Sequence, residues 1–483
     1  MNVLAIDQGT SATKALVVAD DGAVLGEGSA PVNPRFGPGG AVEQDPGELL
    51  DSVVAAGRQA LAAAGVEVDA VGLGNQGETV LCWDRATGEP AGPALSWQDR
   101  RAAEVTRELA GEAERLTRIT GLPLDPYFAA PKMTWLRRRT GERGVVTCID
   151  AWTTHQLTGA FVTDAATASR TMLLDIDTAD WSAEACAAFG LDPDAMPAVM
   201  ACDAVIGETD AFGPRLPVTG LVVDQQAALL AESCFARGDA KCTYGTGAFL
   251  LANAGAAAPR SASGLAVCVA WRAGDETVYC LDGQVYTAGA AISWLARLGL
   301  LREPREIDEL CARAASTGDG ALFVPGLAGL GAPFWAPDAK GGWVGLSLAT
   351  GPADLVAAVV QGVAAQVAAL ALAMGDDLGA ALQRLRVDGG LTRSRALMQA
   401  QADLIQAPVE RYPLADATAL GVAALARLGA GGAAGPREAV GTWEPAEVFE
   451  PAMSADEAAD RLDRFHRAAT SLAALSDVAQ PPA

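Results

Sequence analysis

Residues 3–22 read VLAIDQGTSATKALVVADDG. An apolar run ends in Asp7. Gln8, Gly9, Thr10, Ser11, Ala12 and Thr13 follow, then Lys14 and a second apolar run. Two such runs joined by small residues predict a strand pair, and Asp21-Gly22 predicts the next hairpin turn. The turn exposes backbone N–H groups that suit phosphate oxygens, because no side chain blocks the approach. Hydroxyls at Thr10, Ser11 and Thr13 add donors, and Lys14 adds a cation. Asp7 itself would repel a phosphate, but it fits there if a Mg²⁺ sits between the two. Taken alone, the stretch reads equally well as an ordinary hairpin with Asp7 as a turn former.

Working outward, strands are predicted at 2–7, 13–19 and 23–30, with a helix over 46–64 behind Asp45-Pro46. A buried strand at 69–74 leads into Asn75-Gln76-Gly77-Glu78-Thr79, and VLCWD forms another. Helices are predicted over 98–117 and 129–140. Residues 218–236 read as strand, turn and helix. AKCTYGTGAFLLANAG then repeats the opening pattern, with Gly245, Thr246 and Gly247 at the turn. The repeat predicts two similar α/β halves facing a cleft: residues 1–236, residues 237–440, and a tail over 441–483 made of a helix and a frayed end. A third motif, VDGGLTRSRALMQAQADLI at 387–405, runs from a strand through Gly-Gly into a helix, and bare backbone there suits a flat adenine ring. The sequence has no G-x-x-x-x-G-K-[ST] loop, no G-x-G-x-x-G after the first strand and no protein-kinase signature.

Composition narrows the function. The 483 residues are 50% hydrophobic and carry a net charge of −24, which argues against nucleic acid or an anionic membrane as partner. Nine scattered cysteines without a C-x-x-C pair, and only His155 and His466, argue against a zinc site or a disulfide framework. With the first strand starting at residue 2 or 3, a cytoplasmic location is expected. The uncharged stretch at 355–374 is mostly Ala and Val with Gln361 and Gln366, and reads as a buried helix rather than a membrane span. Of 35 cationic residues only Lys14, Lys132, Lys241 and Lys340 are lysines, and all four fall in or beside motif-like stretches. His155 is expected on a helix surface.

The chain resembles the FGGY family of carbohydrate kinases, and within it the glycerol-phosphorylating branch. The resemblance spans about residues 2–430 and rests on DQGTSATK (7–14), ALSWQDRR (94–101), GLPLDPYFAAPKMTWL (121–136), TDAATASRTML (163–173) and DQQAALLAESCF (224–235). It continues through TYGTGAFLLANAG (243–255), YTAGAAISWL (286–295), FVPGLAGLGAPFWAPDAKGG (323–342) and RVDGGLTRSRALMQAQADL (386–404). It implies two ribonuclease-H-like domains of the actin ATPase type around a central cleft that holds ATP and a sugar or polyol. It also implies homodimers or homotetramers. Asp7 and Asp224 would hold Mg²⁺. Gly9, Thr10, Ser11 and Lys14 would surround the ATP phosphates, with Thr246 and Gly247 as the second phosphate turn. Gly289 and Ser293 would lie near the nucleotide, and Gly389, Gly390 and Ser394 near the adenosine. Asp224 would be the catalytic base, although on its own it reads as a cap of the helix that follows. The acceptor pocket would comprise Gly77, Glu78, Trp97, Tyr127, Asp224, Gln225 and Phe249, with the aromatics equally readable as core.

Where the glycerol-specific pattern has Arg-Glu, this chain has Gly77-Glu78. That removes a charged donor and is expected to leave space, which puts a longer polyol or a ketose beside glycerol as acceptor. Val223 replaces a usual Gly before Asp224. Lys14 stands for an Arg, Ser293 for a Gln and Ser394 for an Asn, and the loop that binds fructose 1,6-bisphosphate in some relatives is missing from DAFGPRLPVTG. A sugar-sensing protein without catalysis is the reading of another class. The presence of Asp7, Asp224 and both phosphate turns speaks against it.

Overall fold

The computed structural model describes residues 1–141, 143–314 and 320–475. The first sheet contains β1 (Val3–Gln8), β2 (Ala12–Val18), β3 (Val24–Pro31), β4 (Ala70–Asn75), β5 (Gly207–Thr209) and β6 (Leu216–Val223). Its order is β5-β6-β4-β1-β2-β3. β1, β2 and β3 form an antiparallel meander, while β4 and β6 run parallel to β1. The opening turn closes as the alternation predicts, with Asp7 opposite Lys14, Gln8 opposite Thr13, and Gly9 N–H donating to Ala12 O at 3.2 Å.

The second half repeats this plan. β7 (Ala240–Tyr244), β8 (Ala248–Gly255), β9 (Ala266–Ala273) and β10 (Glu276–Val285) are antiparallel neighbours. β11 (Leu385–Asp388) and β12 (Val409–Arg411) lie parallel on the other side of β7, and β13 (Glu447–Phe449) closes the edge, giving the order β9-β10-β8-β7-β11-β12-β13. Both halves therefore place a hairpin beside parallel strands in the same order. This is the two-domain, actin-type α/β fold.

Helices join the halves. α1 (Pro46–Ala64) covers the first sheet, its N-terminus capped by Asp45, whose carboxylate accepts from Gly47 N at 2.9 Å. α2 (Asp224–Ala231) touches both sheets. α3 (Gly289–Arg297), α4 (Pro352–Leu378) and α5 (Arg395–Ile405) belong to the second half, whereas α6 (Ala417–Gly429) packs on β1, β4 and β6 of the first. α6 crosses α2 at Gly421, where a Cβ would lie 1.9 Å from Ala227 O, so only glycine permits the approach.

The long apolar helix α4 is 78% buried over its most apolar window, as a core helix should be. Three other expectations are corrected. The helix expected at 98–117 is broken into Ala103–Glu108 and Ala113–Thr120 around a 3₁₀ turn containing Gly111. His155 is half-buried, its ring 4.8 Å from that of Trp83. The tail also contributes an edge strand, β13, before the helix Ala455–Ala474. Its expected frayed end at 476–483 lies outside the described residues.

Candidate active site

Three parallel strands end side by side. Gln8 of β1 and Val223 of β6 are both in register with Asn75 of β4. Asp7, the Gly77–Glu78 turn and Asp224 therefore sit along the carboxyl edge of one sheet, the usual position for ligand chemistry in α/β folds. Burial pushes the Asp7 carboxyl up to about 7, and the neighbouring Asp224 carboxylate adds to the effect against the opposing pull of Lys14. The Asp224 pKa is also raised by burial, while Gln225 N–H, donating at 2.7 Å, and the cations Lys241 and Arg170 pull it down. Two mutually repelling carboxylates suit Mg²⁺, which needs one or two protein carboxylates when phosphates and water complete its shell. Among the described residues no group of three or more His, Cys, Asp or Glu forms an all-protein metal cage.

The residues expected to form an acceptor pocket converge from both halves. The Trp97 ring lies 5.9 Å from Tyr127 and 6.2 Å from Phe249, edge-on to each. Trp97 Nε1 donates to Thr10 Oγ1 at 2.8 Å, which joins the pocket to the first phosphate turn. Glu78 is buried and holds φ at +54°, a conformation that costs a non-glycine residue on the order of 1 kcal/mol. Gln225 Oε1 accepts from the buried Lys241 Nζ at 2.6 Å. The space expected beside Gly77 is narrowed on one side, because a Cβ there would stand 3.1 Å from Val223 Cγ2.

The glycine motifs of the second half also meet. Gly289 N–H donates to Gly245 O and Ala290 N–H to Thr246 O, each at 3.0 Å, so the N-terminus of α3 is fused to the second phosphate turn. A Cβ on Gly247 would lie 2.6 Å from Val285 O, and one on Gly389 would lie 2.5 Å from Tyr244 O. Beside Gly390, by contrast, a Cβ would meet nothing within 4 Å, so bare backbone faces open space. Thr246, at the turn, and Ser293, in the second turn of α3, are both exposed. Ser394 is committed elsewhere: its hydroxyl donates to Asp308 at 2.7 Å and caps α5 at Leu397 N. Gly9 and Ser11 line the exposed opening turn, while the Lys14 ammonium is ion-paired with Asp416 at the start of α6.

Five residues around the site escaped the sequence reading. Arg170 binds Glu78 Oε1 at 2.5 Å and is ion-paired with Asp282 of β10. Lys132 donates to the carbonyls of Pro126 and Phe128 at 3.1 and 2.8 Å, and also to that of Tyr127, which holds the Tyr127 loop in place. Lys241 and Asp416 complete the set. The scarcity of lysine and its clustering near motifs was the one available signal. It pointed to Lys132 and Lys241 but not to their roles.

Comparison with known proteins gives two matched regions. Residues 2–231 match the model of the FGGY family of carbohydrate kinases, N-terminal domain, and residues 240–430 match the C-terminal domain of the same family. A glycerol kinase of Alkalilimnicola ehrlichii is 42% identical over 96% of this chain and 97% of its own, and one of Aromatoleum aromaticum is 40% identical over 96% and 97%. The crystal structure of Plasmodium falciparum glycerol kinase with ADP superposes with a TM-score of 0.91 at 29% identity, covering 98% of both chains.

Proposed function

The chain belongs to the FGGY family of carbohydrate kinases and is an ATP-dependent kinase, and from that premise we propose that it phosphorylates glycerol at a terminal hydroxyl. The observation that carries the reading is the alignment of Asp7, Glu78 and Asp224 on one sheet edge, with Trp97 and Phe249 bringing the second phosphate turn's own hairpin against it. Relatives at about 40% identity over nearly the whole chain are glycerol kinases, which supports the same acceptor.

In this reading Glu78, Tyr127 and Gln225 hold the acceptor hydroxyls, and the faces of Trp97 and Phe249 cover its carbons and exclude water. Asp224 accepts the proton of the attacking hydroxyl as the new O–P bond forms and the bond to the ADP oxygen breaks. The N–H groups of Thr10, Ser11, Thr246 and Gly247, with the Thr10 and Thr246 hydroxyls, cradle the phosphates, and Gly289, Gly389 and Gly390 present bare backbone to the nucleoside. Mg²⁺, held by Asp7 and Asp224, would neutralise phosphate charge. Lys14, freed from Asp416, would add a cation to the phosphates.

A longer polyol or a ketose is the less favoured acceptor, because the relatives that match nearly the whole chain are glycerol kinases and Val223 Cγ2 narrows the room beside Gly77. A cytoplasmic enzyme that self-associates completes the reading. Light scattering tests its assembly, and ADP release with Mg·ATP across glycerol, erythritol, the pentitols and ketoses tests its acceptor. Preference for any acceptor over glycerol would overturn the assignment.

A further inference from the structure

Arg170 follows directly on the short helix Ala165–Ser169, which Asp164 caps through Ala166 N at 2.8 Å. Its side chain is 96% buried and spends its donors on residues of both halves. Nε donates to Glu78 Oε1 at 2.5 Å, and Nη1 reaches Asp282 and, at 3.0 Å, Cys268 Sγ. Nη2 makes one long contact, 3.4 Å to Tyr127 Oη, which leaves its donor capacity under-used. The guanidinium carbon lies 5.7 and 5.4 Å from the ring centres of Tyr127 and Phe128.

An unfilled acceptor lies beside it. Asp282 is 4% exposed, and its Oδ1 is buried without a hydrogen-bond partner. Glu78 meets Arg170 through Oε1. Buried polar groups left unpaired are costly, so such a group calls for a ligand or an ordered water. Asp282 and Tyr127 also line a cavity of about 20 Å³, enough for one water. Among the described residues Arg170 is the one guanidinium that hydrogen-bonds to any proposed pocket residue.

We infer that Arg170, oriented by Asp282, is the specificity-determining cation of the acceptor pocket: it fixes the Glu78 carboxylate and the Tyr127 phenol and offers an Nη2 donor to one acceptor hydroxyl. The inference rests on the polyol-kinase reading above and adds to it a residue that position 77 no longer supplies. A fork that bonds a hydroxyl rejects acceptors lacking it, because its own buried donor is then stranded. Lysine cannot reproduce the fork, since a point charge replaces a planar pair of donors.

Wild-type turnover, measured first, tests the kinase reading, and its fastest acceptor then serves for the variants. For Arg170→Lys the KM for that acceptor rises about tenfold or more, and the KM for ATP stays within about twofold. The wild-type preference for glycerol over propane-1,2-diol or propane-1,3-diol falls about tenfold for one of the two diols. Should Arg170→Lys not fold, as judged by circular dichroism, Asp282→Asn decides, because it keeps the volume and the arginine while loosening the fork. An unchanged acceptor KM in the folded variant overturns the inference. So does a parallel loss for acceptor and ATP with diol discrimination intact, which is the pattern of a purely structural tie.

Discussion

A Cβ placed on Gly77 would stand 3.1 Å from Cγ2 of Val223. The two departures from the glycerol-specific pattern, glycine at 77 and valine at 223, are therefore neighbours in space, at the ends of adjacent strands β4 and β6. We read them as one exchange, in which Val223 Cγ2 takes up part of the room beside Gly77. Gly77→Arg alone drives its stem against a buried valine, and overpacking of this kind costs about 1–3 kcal/mol. Adding Val223→Gly opens the space, so the double variant is more stable than the two single effects predict, with a coupling of about 1 kcal/mol. Thermal unfolding of the four proteins measures the cycle, and strict additivity would contradict the exchange.

Asp224 begins α2 at the sheet edge, and in the proposed reading its carboxylate takes the proton from the acceptor. Asp224→Asn keeps the shape and removes the basicity. The kcat falls by about 10²–10⁴-fold, while affinity for ATP without Mg²⁺, read by calorimetry, changes little. Retention of wild-type kcat would remove Asp224 from the chemistry.

Lys241 donates to Gln225 at 2.6 Å and to Thr243 at 2.8 Å, and its charge helps keep Asp224 ionised. In Lys241→Met the acidic limb of the kcat/KM profile moves to higher pH, and the acceptor KM rises because Gln225 loses its anchor. A profile that superposes on wild type after normalisation would show that Lys241 serves packing alone.

Several buried carboxyls titrate above their usual range. Burial raises Asp7 and Asp150 to about 7 and Asp164 to about 6, from 3.8 in the unfolded chain. Between those values the folded state binds protons that the unfolded state has released, so their contribution to stability is full below pH 3.8 and is lost as pH rises through 6 to 7. The melting temperature without nucleotide falls between about pH 5 and about pH 8. Stabilisation by Mg·ATP grows over the same range, because a cation prefers the ionised Asp7. A melting temperature that rises across this window, or nucleotide stabilisation that weakens, would contradict the assignment of Asp7.

Local patterns carried much of the architecture. The 3–22 hairpin, α1 and the 240–255 hairpin were readable because apolar alternation and glycine turns act over a few residues. The break at Gly111 was not, since the apolar spacing on either side continues through it. The same divide runs through the site. Asp7, Asp224 and the glycine turns sit inside contiguous motifs. Arg170 acquires its meaning from Glu78 and Asp282, 92 and 112 residues away, and Lys14 from Asp416, 402 residues away. No single stretch encodes such pairs; the topology makes them. The exchange between Gly77 and Val223 belongs to the same class, for each substitution was visible and their contact was not.

The most direct test of the central claim is ADP release with Mg·ATP and glycerol, with the Asp224→Asn protein as the control. The account predicts rapid release with glycerol, faster than with erythritol, the pentitols or the ketoses, and almost none from the variant. ADP release from glycerol no faster in the wild type than in Asp224→Asn would contradict it.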